Sequence, residues 1–305
     1  MAKNKKRHSN VRMFGLIFAG LVALGSLMAV LMRGNNIALF HTRGFIAHEQ
    51  MGLMVLTTAV MLALAIPALF LFYYFAWKYR ESNTKAVHDP NLRHSRWLDI
   101  TIWLVPTVFA VMLAMVMWPA THKLEPRDPI PGGAKPLVIQ VVSLRWKWLF
   151  IYPEQNIATV NYVQFPVDRP VQFELTADEA PMSSFWIPNL GGQLYSMTGH
   201  VNRLNLIAST TGNYGVSSAE INGAGFSGMK FTARASSQSD FDLWVQSVWD
   251  RPQVLDTAAY NELLKPSEDN PPAYYSAAQD GLYDTVVNKY MGSHGGMPGH
   301  GMKHE

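Results

Sequence analysis

The chain has no cysteine among its 305 residues. This absence excludes disulfide bonds, thiolate metal ligands and a cysteine nucleophile. Charged residues are also scarce, because they make up 15% of the chain while hydrophobic residues make up 49%. A composition this apolar is unusual for a soluble domain and indicates a protein that lies partly in a membrane.

Signals for nucleic-acid binding and for catalysis are missing as well. The net charge is only +3, and the basic residues cluster beside apolar segments, which is typical of membrane topology rather than of nucleic-acid contacts. The sequence contains no Ser-His-Asp arrangement, no phosphate-binding loop and no paired-carboxylate site. We therefore expect no nucleic-acid partner and no catalysis by this chain alone.

Three apolar runs, residues 11–32, 51–77 and 100–118, lie near the start of the chain. Each is long enough to cross a bilayer core, which takes about 20 residues. The first run follows a basic stretch, so segment 1–50 contains either a removed signal or a retained anchor. The other two predict a transmembrane hairpin in segment 51–120, so the chain has two transmembrane helices, or three if the first run is retained.

The basic residues predict how the hairpin is oriented. The connection 78–97 carries five lysines and arginines, whereas segment 33–50 carries only Arg33 and Arg43. By the positive-inside rule, the connection faces the cytoplasm. The N-terminus lies on the same side, and the chain after Trp118 lies outside.

A linker at 121–136 leads into short strand-like runs within segment 137–250, separated by Gly, Pro and Asn. This pattern predicts an antiparallel sandwich or barrel. Ser237 with Asp240 predicts the start of an amphipathic helix. The predicted strands are residues 137–143, 146–152, 160–165, 171–176, 184–187, 203–208, 212–217 and 229–235.

The last two segments differ from the sandwich in composition. Residues 251–290 mix proline with aromatic side chains, and we expect this arm to pack along another surface because it is too short for its own core. Residues 291–305 are rich in glycine and are expected to be disordered. Three histidines of this tail, His294, His300 and His304, are weak candidate metal ligands.

Six motifs stand out, namely Phe75–Arg80, Leu144–Trp148, Phe150–Gln155, Phe185–Gly191, Gly225–Lys230 and Lys265–Glu268. Together they resemble subunit II of the bo3-type haem–copper quinol oxidases of bacteria. The resemblance implies a membrane-anchored α + β protein with a cupredoxin-like antiparallel β-sandwich that lacks copper ligands. It also implies a non-catalytic subunit of a proton-pumping ubiquinol oxidase that reduces oxygen in the aerobic respiratory chain.

The resemblance further implies the setting of the chain. The partners are oxidase subunits I, III and IV with ubiquinol as the substrate of the complex, in the bacterial inner membrane with the C-terminal domain in the periplasm. Haems and copper are expected in subunit I, and no cofactor is expected in this chain. Members of the family often carry a lipidated cysteine where this chain has Asn35, so thioether lipidation is excluded here.

Related cytochrome c oxidase subunits hold a two-copper centre in a segment of this form. The resemblance implies that the matching positions here are a vestigial frame, because serine and asparagine supply neither the soft sulfur nor the imidazole that such a centre needs. We expect Phe226 to fill the space. The frame positions are Ser183, Ser218, Glu220, Asn222, Phe226 and Met229.

Three further residues receive roles through the resemblance. Asp99 corresponds to an acidic residue at the mouth of the proton pathway known as the K-channel, although a plain helix-start role is the alternative. Trp146 and Trp148 are expected to pack against the catalytic subunit. A competing function stays open, namely a membrane-anchored copper-handling protein that uses the histidine and methionine tail.

Overall fold

The structure is a computed structural model that describes residues 37–87, 95–130 and 134–291, with a few positions between 20 and 30. The chain forms two compact units, Met1–His41 and Thr42–Glu305. The predicted signal or anchor at 11–32 lies almost entirely outside the described residues. Asn35 and the histidine tail also lie outside them.

Two long apolar helices begin the second unit. Helix α1 spans Phe45–Lys78 and helix α2 spans Arg96–Lys123. Their most apolar stretches have mean hydropathies of 2.4 and 2.3, and by length and composition both can cross a membrane. At 1.5 Å per residue they are about 51 and 42 Å long. The predicted hairpin therefore corresponds to two helices that extend beyond both apolar runs.

We call the ends of the two helices that lie nearest the sandwich their outer ends, and these two ends contact each other. Lys123 near the end of α2 forms an ion pair with Glu49 of α1, with 2.9 Å between Nζ and Oε2. The same ammonium lies 5.3 Å from the centre of the Phe45 ring. Both groups are partly exposed, so the pair contributes little to stability.

The rest of the unit contains a cupredoxin-like β-sandwich of two sheets. One sheet has the strand order β11-β3-β2-β1-β5-β8, and the other has the order β4-β10-β9-β6-β7. The strands are β1 Leu137–Leu144, β2 Lys147–Tyr152, β3 Ile157–Val160, β4 Tyr162–Pro166, β5 Val171–Ala177, β6 Ser183–Trp186, β7 Leu194–Ser196, β8 Asn202–Leu206, β9 Gly212–Ser218, β10 Lys230–Ser236 and β11 Ala273–Tyr275.

The predicted sandwich is confirmed, but purely antiparallel pairing is wrong at two places. Strand β1 runs parallel to β5, and β4 runs parallel to β10. After β3 the chain crosses to the other sheet to form β4 and then returns to form β5. Because β5 re-enters beside β1 after this crossover, the two strands run in the same direction.

The predicted strand at 160–165 is divided at Asn161. The backbone of Asn161 has a φ of 51°, a left-handed conformation that asparagine tolerates better than most residues. Its side-chain oxygen accepts a hydrogen bond from the backbone N–H of Trp148 at 2.9 Å. The kink moves the chain from one sheet to the other, which a strand pattern alone does not reveal.

The main core lies between the sheets and is closed by helix α3, Gln238–Trp249. The Ser237 hydroxyl accepts a hydrogen bond from the backbone N–H of Asp240 at 3.1 Å, so the predicted helix start is confirmed. Phe241, Val245 and Val248 are the buried face of this helix.

The aromatic arm packs on the outer face of the first sheet. It contains helix α4 (Thr257–Leu264), strand β11 and helix α5 (Leu282–Met291). Strand β11 extends the sheet by pairing with β3. The arm has no core of its own, as expected, but shares a second apolar cluster with β1, β2 and β3. That cluster includes Val142, Leu144, Leu149, Ile151, Leu255, Tyr260, Leu282, Tyr283 and Val286.

Backbone hydrogen bonds join the start of α1 to the sandwich. Arg43 donates to the carbonyl of Asn189 at 2.8 Å and accepts from Ser209 at 2.8 Å. Between these bonds, Gly44 pairs with Ala208 in an isolated β-bridge. A Cβ atom on Gly44 would lie 2.5 Å from the carbonyl oxygen of Ile207. We call residues 43, 44, 189, 208 and 209 the helix joint.

The end of α2 is held to the sandwich in a similar way. The backbone N–H of Asn205 in β8 donates to the carbonyl of Pro126 at 3.1 Å. The Asn205 side chain also donates to the carbonyls of Pro126 and Arg127, at 3.1 and 3.2 Å. Both helices are therefore attached to the sandwich at their outer ends.

Candidate functional site

Four of the predicted frame positions are buried together at one end of the sandwich. Ser183 begins β6 and Ser218 ends β9, and these strands are paired. Asn222 and Met229 flank a short 3-10 turn, Ala224–Gly228. The exposed fractions of the four residues are 0%, 5%, 7% and 1% in that order. These four of the six positions that the resemblance marked as a frame therefore lie close together in the fold.

Hydrogen bonds join these side chains. The Asn222 amide nitrogen donates to the Ser183 hydroxyl at 2.7 Å and lies 3.2 Å from the Met229 sulfur. The Ser183 hydroxyl in turn donates to the carbonyl of Pro181 at 3.2 Å. The Ser218 hydroxyl donates to the backbone carbonyl of Glu220 at 3.1 Å. Each of the two hydroxyls therefore already donates a hydrogen bond to a backbone carbonyl of the chain.

This donor set does not fit a two-copper centre. Copper sites of that kind select thiolate, thioether and imidazole ligands, and the frame offers two hydroxyls, one amide and one thioether. The Met229 sulfur is the only soft atom, and it accepts the contact from Asn222. Elsewhere in the described ranges, no group of three or more His, Cys, Asp or Glu residues is placed to hold a metal.

Phe226 is partly buried and does not belong to the main core. It lies within the 3-10 turn, where its N–H donates to the carbonyl of Gly223. The expectation that its ring fills the frame stays a prediction. The Asn222 amide links two other frame residues, Ser183 and Met229, and the carbonyl of Glu220 accepts from Ser218.

The two tryptophans have different environments. Trp148 is completely buried between the sheets, with its ring 5.4 Å from the Phe185 ring, so its predicted contact with another subunit is wrong. Trp146 is half-buried and has a φ of 63°. Its indole covers the 3-10 turn so closely that a Cβ atom on Gly225 would lie 2.5 Å from the ring. For Trp146 a contact with another subunit stays a prediction.

The arm packs against the same turn. A Cβ atom on Gly225 would lie 2.8 Å from Cγ of Glu268, and one on Gly228 would clash with a carboxylate oxygen of Asp269. Only glycine allows this close approach of the turn to the arm. The turn next to the frame therefore contacts both Trp146 and the arm.

A buried lysine fixes this part of the arm. Lys147 is 2% exposed, and its ammonium donates to the carbonyl of Lys265 at 2.8 Å and to the hydroxyl of Ser267 at 2.5 Å. Burial lowers the pKa of the Lys147 ammonium, while the Glu262 carboxylate acts in the opposite direction. Sequence reasoning missed this residue because it treated Lys147 as part of a tryptophan motif.

A buried carboxylate fixes the end of the arm. Asp178 is 1% exposed and accepts hydrogen bonds from Tyr260 and Tyr290 at 2.6 Å and from Lys289 at 2.9 Å. Burial raises the pKa of the Tyr260 hydroxyl, and the Asp178 carboxylate raises it further. Burial alone would lower the pKa of the Lys289 ammonium, but its hydrogen bonds to Glu179 and Asp178 raise the pKa overall. In the sequence, the only sign of this buried cluster is the high tyrosine content of the arm.

Asp99 is far from this frame. It lies in the first turn of α2, its side chain is exposed in this chain, and its N–H donates to the carbonyl of Ser95 at 2.9 Å. Because the sandwich joins the other end of α2, Asp99 and Lys123 are roughly 36 Å apart along the helix. This position fits a residue at the start of a helix. The role in proton transfer stays a prediction, and it concerns a site separate from the frame.

Comparison with known proteins identifies the family. The chain is 44% identical over 298 residues to cytochrome bo(3) ubiquinol oxidase subunit 2 of Pseudomonas putida, and the match covers 97% of this chain and 91% of that protein. This chain belongs to the family of ubiquinol oxidase subunit II. It is also 40% identical over 277 residues to ubiquinol oxidase subunit 2 of Acetobacter aceti, which covers 90% of each protein.

Two further matches concern parts of this subunit II. The family described as the COX aromatic rich motif matches residues 250–294, which are the arm held by Lys147 and Asp178. The periplasmic domain of subunit II of a cytochrome oxidase from Bradyrhizobium japonicum is 20% identical, with a TM-score of 0.36, and the match covers 37% of this chain and 94% of that domain.

Proposed function

We propose that this chain is the non-catalytic subunit II of a terminal oxidase whose complex oxidises ubiquinol, reduces oxygen to water and pumps protons. The observation that carries the proposal is the frame in which Asn222 joins Ser183 to Met229. Hydroxyl and amide groups stand where a two-copper electron acceptor needs thiolates and imidazoles. Electrons from quinol therefore reach subunit I without passing through the sandwich.

The structural task of the chain follows from its attachments. Helices α1 and α2 pack against subunit I in the bacterial inner membrane, and the helix joint holds the sandwich over the periplasmic face of that subunit. The five basic residues at 78–97 support this orientation, because positive residues stay in the cytoplasm. Subunits III and IV complete the complex, and its haems and copper are bound by subunit I.

Asp99 is proposed to accept protons at the cytoplasmic end of α2. The support is its place in the first helical turn with an exposed carboxylate. Asp99→Asn removes the titrating group but keeps its size, so turnover and proton uptake by the complex should fall. Glu81→Gln is the matched control, because Glu81 is an exposed carboxylate near the end of α1. Equal rates for both variants across the pH range would assign Asp99 to a helix-start role alone.

Affinity purification of the tagged full-length chain from native membranes tests the function. We expect a haem-containing partner to co-purify, with ubiquinol oxidase activity and no copper held by this chain. A lone chain loaded with copper would instead support the copper-handling alternative based on His294, His300 and His304. Repeating the metal analysis on a chain without residues 292–305 separates copper bound by the tail from copper bound by the frame.

A further inference from the structure

A group of cations and aromatic rings lies at the end of α1 that is far from the sandwich. The Lys78 ammonium lies 5.6 Å from the centre of the Tyr74 ring and 5.4 Å from that of Tyr79. The Arg80 guanidinium lies 5.1 Å from the centre of the Trp77 ring. We call these five residues the cation–aromatic end of α1.

The chain itself uses few of the hydrogen-bond donors in this group. Among the described residues, the Lys78 ammonium forms no hydrogen bond and no ion pair, although an acidic residue, Glu81, lies close in sequence. Arg80 donates from Nε to Ser82 at 3.0 Å and from one terminal nitrogen to the carbonyl of Trp77 at 3.1 Å. These two bonds fix the guanidinium and leave its other N–H groups available.

The turn after the helix is also ordered. Asn83 donates from its side chain to the carbonyl of Lys78 at 2.6 Å, and its backbone N–H donates to the carbonyl of Arg80 at 2.9 Å. Lys85 is exposed in the same turn. Local hydrogen bonds therefore fix the Arg80 guanidinium and the backbone of the turn that carries Lys85, whereas the Lys78 ammonium, within the described part of the chain, contacts only the aromatic rings.

The length of α1 places this group at the membrane surface. From Glu49, at the outer end, to Lys78 the helix rises roughly 44 Å, and a bilayer with its headgroup regions is about 40–45 Å thick. With the outer end of α1 joined to the sandwich, Lys78 and Arg80 lie at the depth of the inner headgroups. Exposed tyrosine and tryptophan rings are typical of this depth.

We propose that Lys78 and Arg80 bind the phosphate of an anionic phospholipid in the inner leaflet, while the rings of Tyr74, Trp77 and Tyr79 contact its glycerol and upper acyl chains. This proposal rests on the orientation given under the proposed function. An anionic lipid fits better than an acidic protein segment, because the aromatic rings between the cations match an apolar and anionic ligand.

Native mass spectrometry of the purified oxidase in lipid nanodiscs tests the proposal. The discs contain mainly phosphatidylcholine with a small fraction of phosphatidylglycerol. We expect the intact complex to retain phosphatidylglycerol several-fold above its bulk fraction, and the double variant Lys78→Gln/Arg80→Gln to lose this enrichment. Excess inorganic phosphate should not displace the lipid, because free phosphate lacks the acyl part.

A matched double variant, Lys135→Gln/Lys230→Gln, removes the same charge from exposed positions on the sandwich and should keep the enrichment. Equal retention of phosphatidylglycerol by wild type and Lys78→Gln/Arg80→Gln would overturn the proposal. Loss of partner subunits from that variant would also overturn it and would assign the group to a protein contact. Ubiquinol oxidase activity of the wild-type complex, measured in the same discs, tests the proposed function separately.

Discussion

The Asn222 side chain donates a hydrogen bond to the Ser183 hydroxyl at 2.7 Å, although 39 residues separate the two. The bond joins the loop after β9 to the start of β6. The same amide also contacts the Met229 sulfur, so side-chain contacts link three residues of the frame. The amide therefore links strand β6, the loop after β9 and the 3-10 turn at this end of the sandwich.

Replacing Asn222 should loosen this end of the sandwich. Asn222→Ala removes the bond to Ser183 and should lower the free energy of unfolding by about 0.5–1.5 kcal/mol, the usual net value of one hydrogen bond. Asn222→Asp should cost more, because it removes the donor and buries a carboxylate beside sulfur. Denaturant unfolding of the full-length chain in detergent, followed by tryptophan fluorescence, measures both.

Asn213→Ala is the control for these variants, because Asn213 is exposed on the paired strand β9. It should leave the free energy of unfolding unchanged within error. If Asn222→Asp is as stable as wild type at neutral pH, the donor bonds of the Asn222 amide do not stabilise the frame, which contradicts this prediction.

Lys147 should be required to hold the arm over the 3-10 turn. Lys147→Met keeps the length of the side chain but loses the bonds to Lys265 and Ser267. Removing a buried ammonium also removes its desolvation cost, so the global stability should change less than the local order of the arm. We expect faster hydrogen exchange of backbone amides in residues 265–270 in the intact chain.

The control for Lys147 is Lys135→Met. The Lys135 side chain is 80% exposed and pairs with Glu154 on the surface, so its loss should not change exchange in the arm. Identical exchange at 265–270 in both variants would mean that Lys147 does not hold the arm.

Stability should fall in alkaline solution. Burial raises the pKa values of Tyr152, Tyr260 and Tyr283 in the folded chain, whereas an unfolded tyrosine titrates near pH 10. Above about pH 10 the unfolded state loses protons that the folded state keeps, so the stabilising contribution is complete below that pH and is lost above it. The lowered pKa of Lys147 acts in the opposite direction, whereas the raised pKa of Lys289 acts in the same direction as the tyrosines.

Unfolding measured between about pH 8 and 11 checks this dependence, and Tyr260→Phe isolates one of its sources. Without the Tyr260 hydroxyl, the chain should be less stable at neutral pH, because Asp178 loses a donor. Its stability should also decrease less steeply above about pH 10. A slope equal to that of wild type would show that Tyr260 does not contribute.

The helix joint should tolerate no side chain at Gly44. A Cβ atom there would lie 2.5 Å from the Ile207 carbonyl oxygen and 2.9 Å from that of Leu190, so Gly44→Ala must separate α1 from the sandwich. We expect a lower thermal midpoint and less assembled complex. Gly52→Ala in the same helix meets nothing within 4 Å and should behave like wild type. Equal assembly of the two variants would contradict a rigid joint.

Local patterns predicted the helices and most strands because their periodicity lies within a few residues. The buried partners could not be predicted in this way, because Lys147 contacts the chain 118 residues later and Asp178 contacts Tyr260 82 residues later. The tryptophans illustrate the same limit. Alternation places Trp146 and Trp148 on one face of a strand, but the φ of 63° at Trp146 turns that side chain out of the pattern.

The frame was predictable in place but not in its bonding. The family resemblance located Ser183, Ser218, Asn222 and Met229, and all four are buried together. The space-filling role given to Phe226 stays a prediction, because the residue is partly buried in the 3-10 turn. A hydrogen bond between residues on different strands closes the frame, and its geometry depends on the folded sandwich.

Oxygen consumption by the purified complex with two electron donors is the most direct test of the central claim. With subunit II as described, electrons enter from quinol and bypass the sandwich, so ubiquinol should sustain rapid oxygen uptake while reduced cytochrome c sustains none. The contrary result would be rapid oxidation of reduced cytochrome c, together with copper bound by this chain in an amount equal to or above one per subunit II.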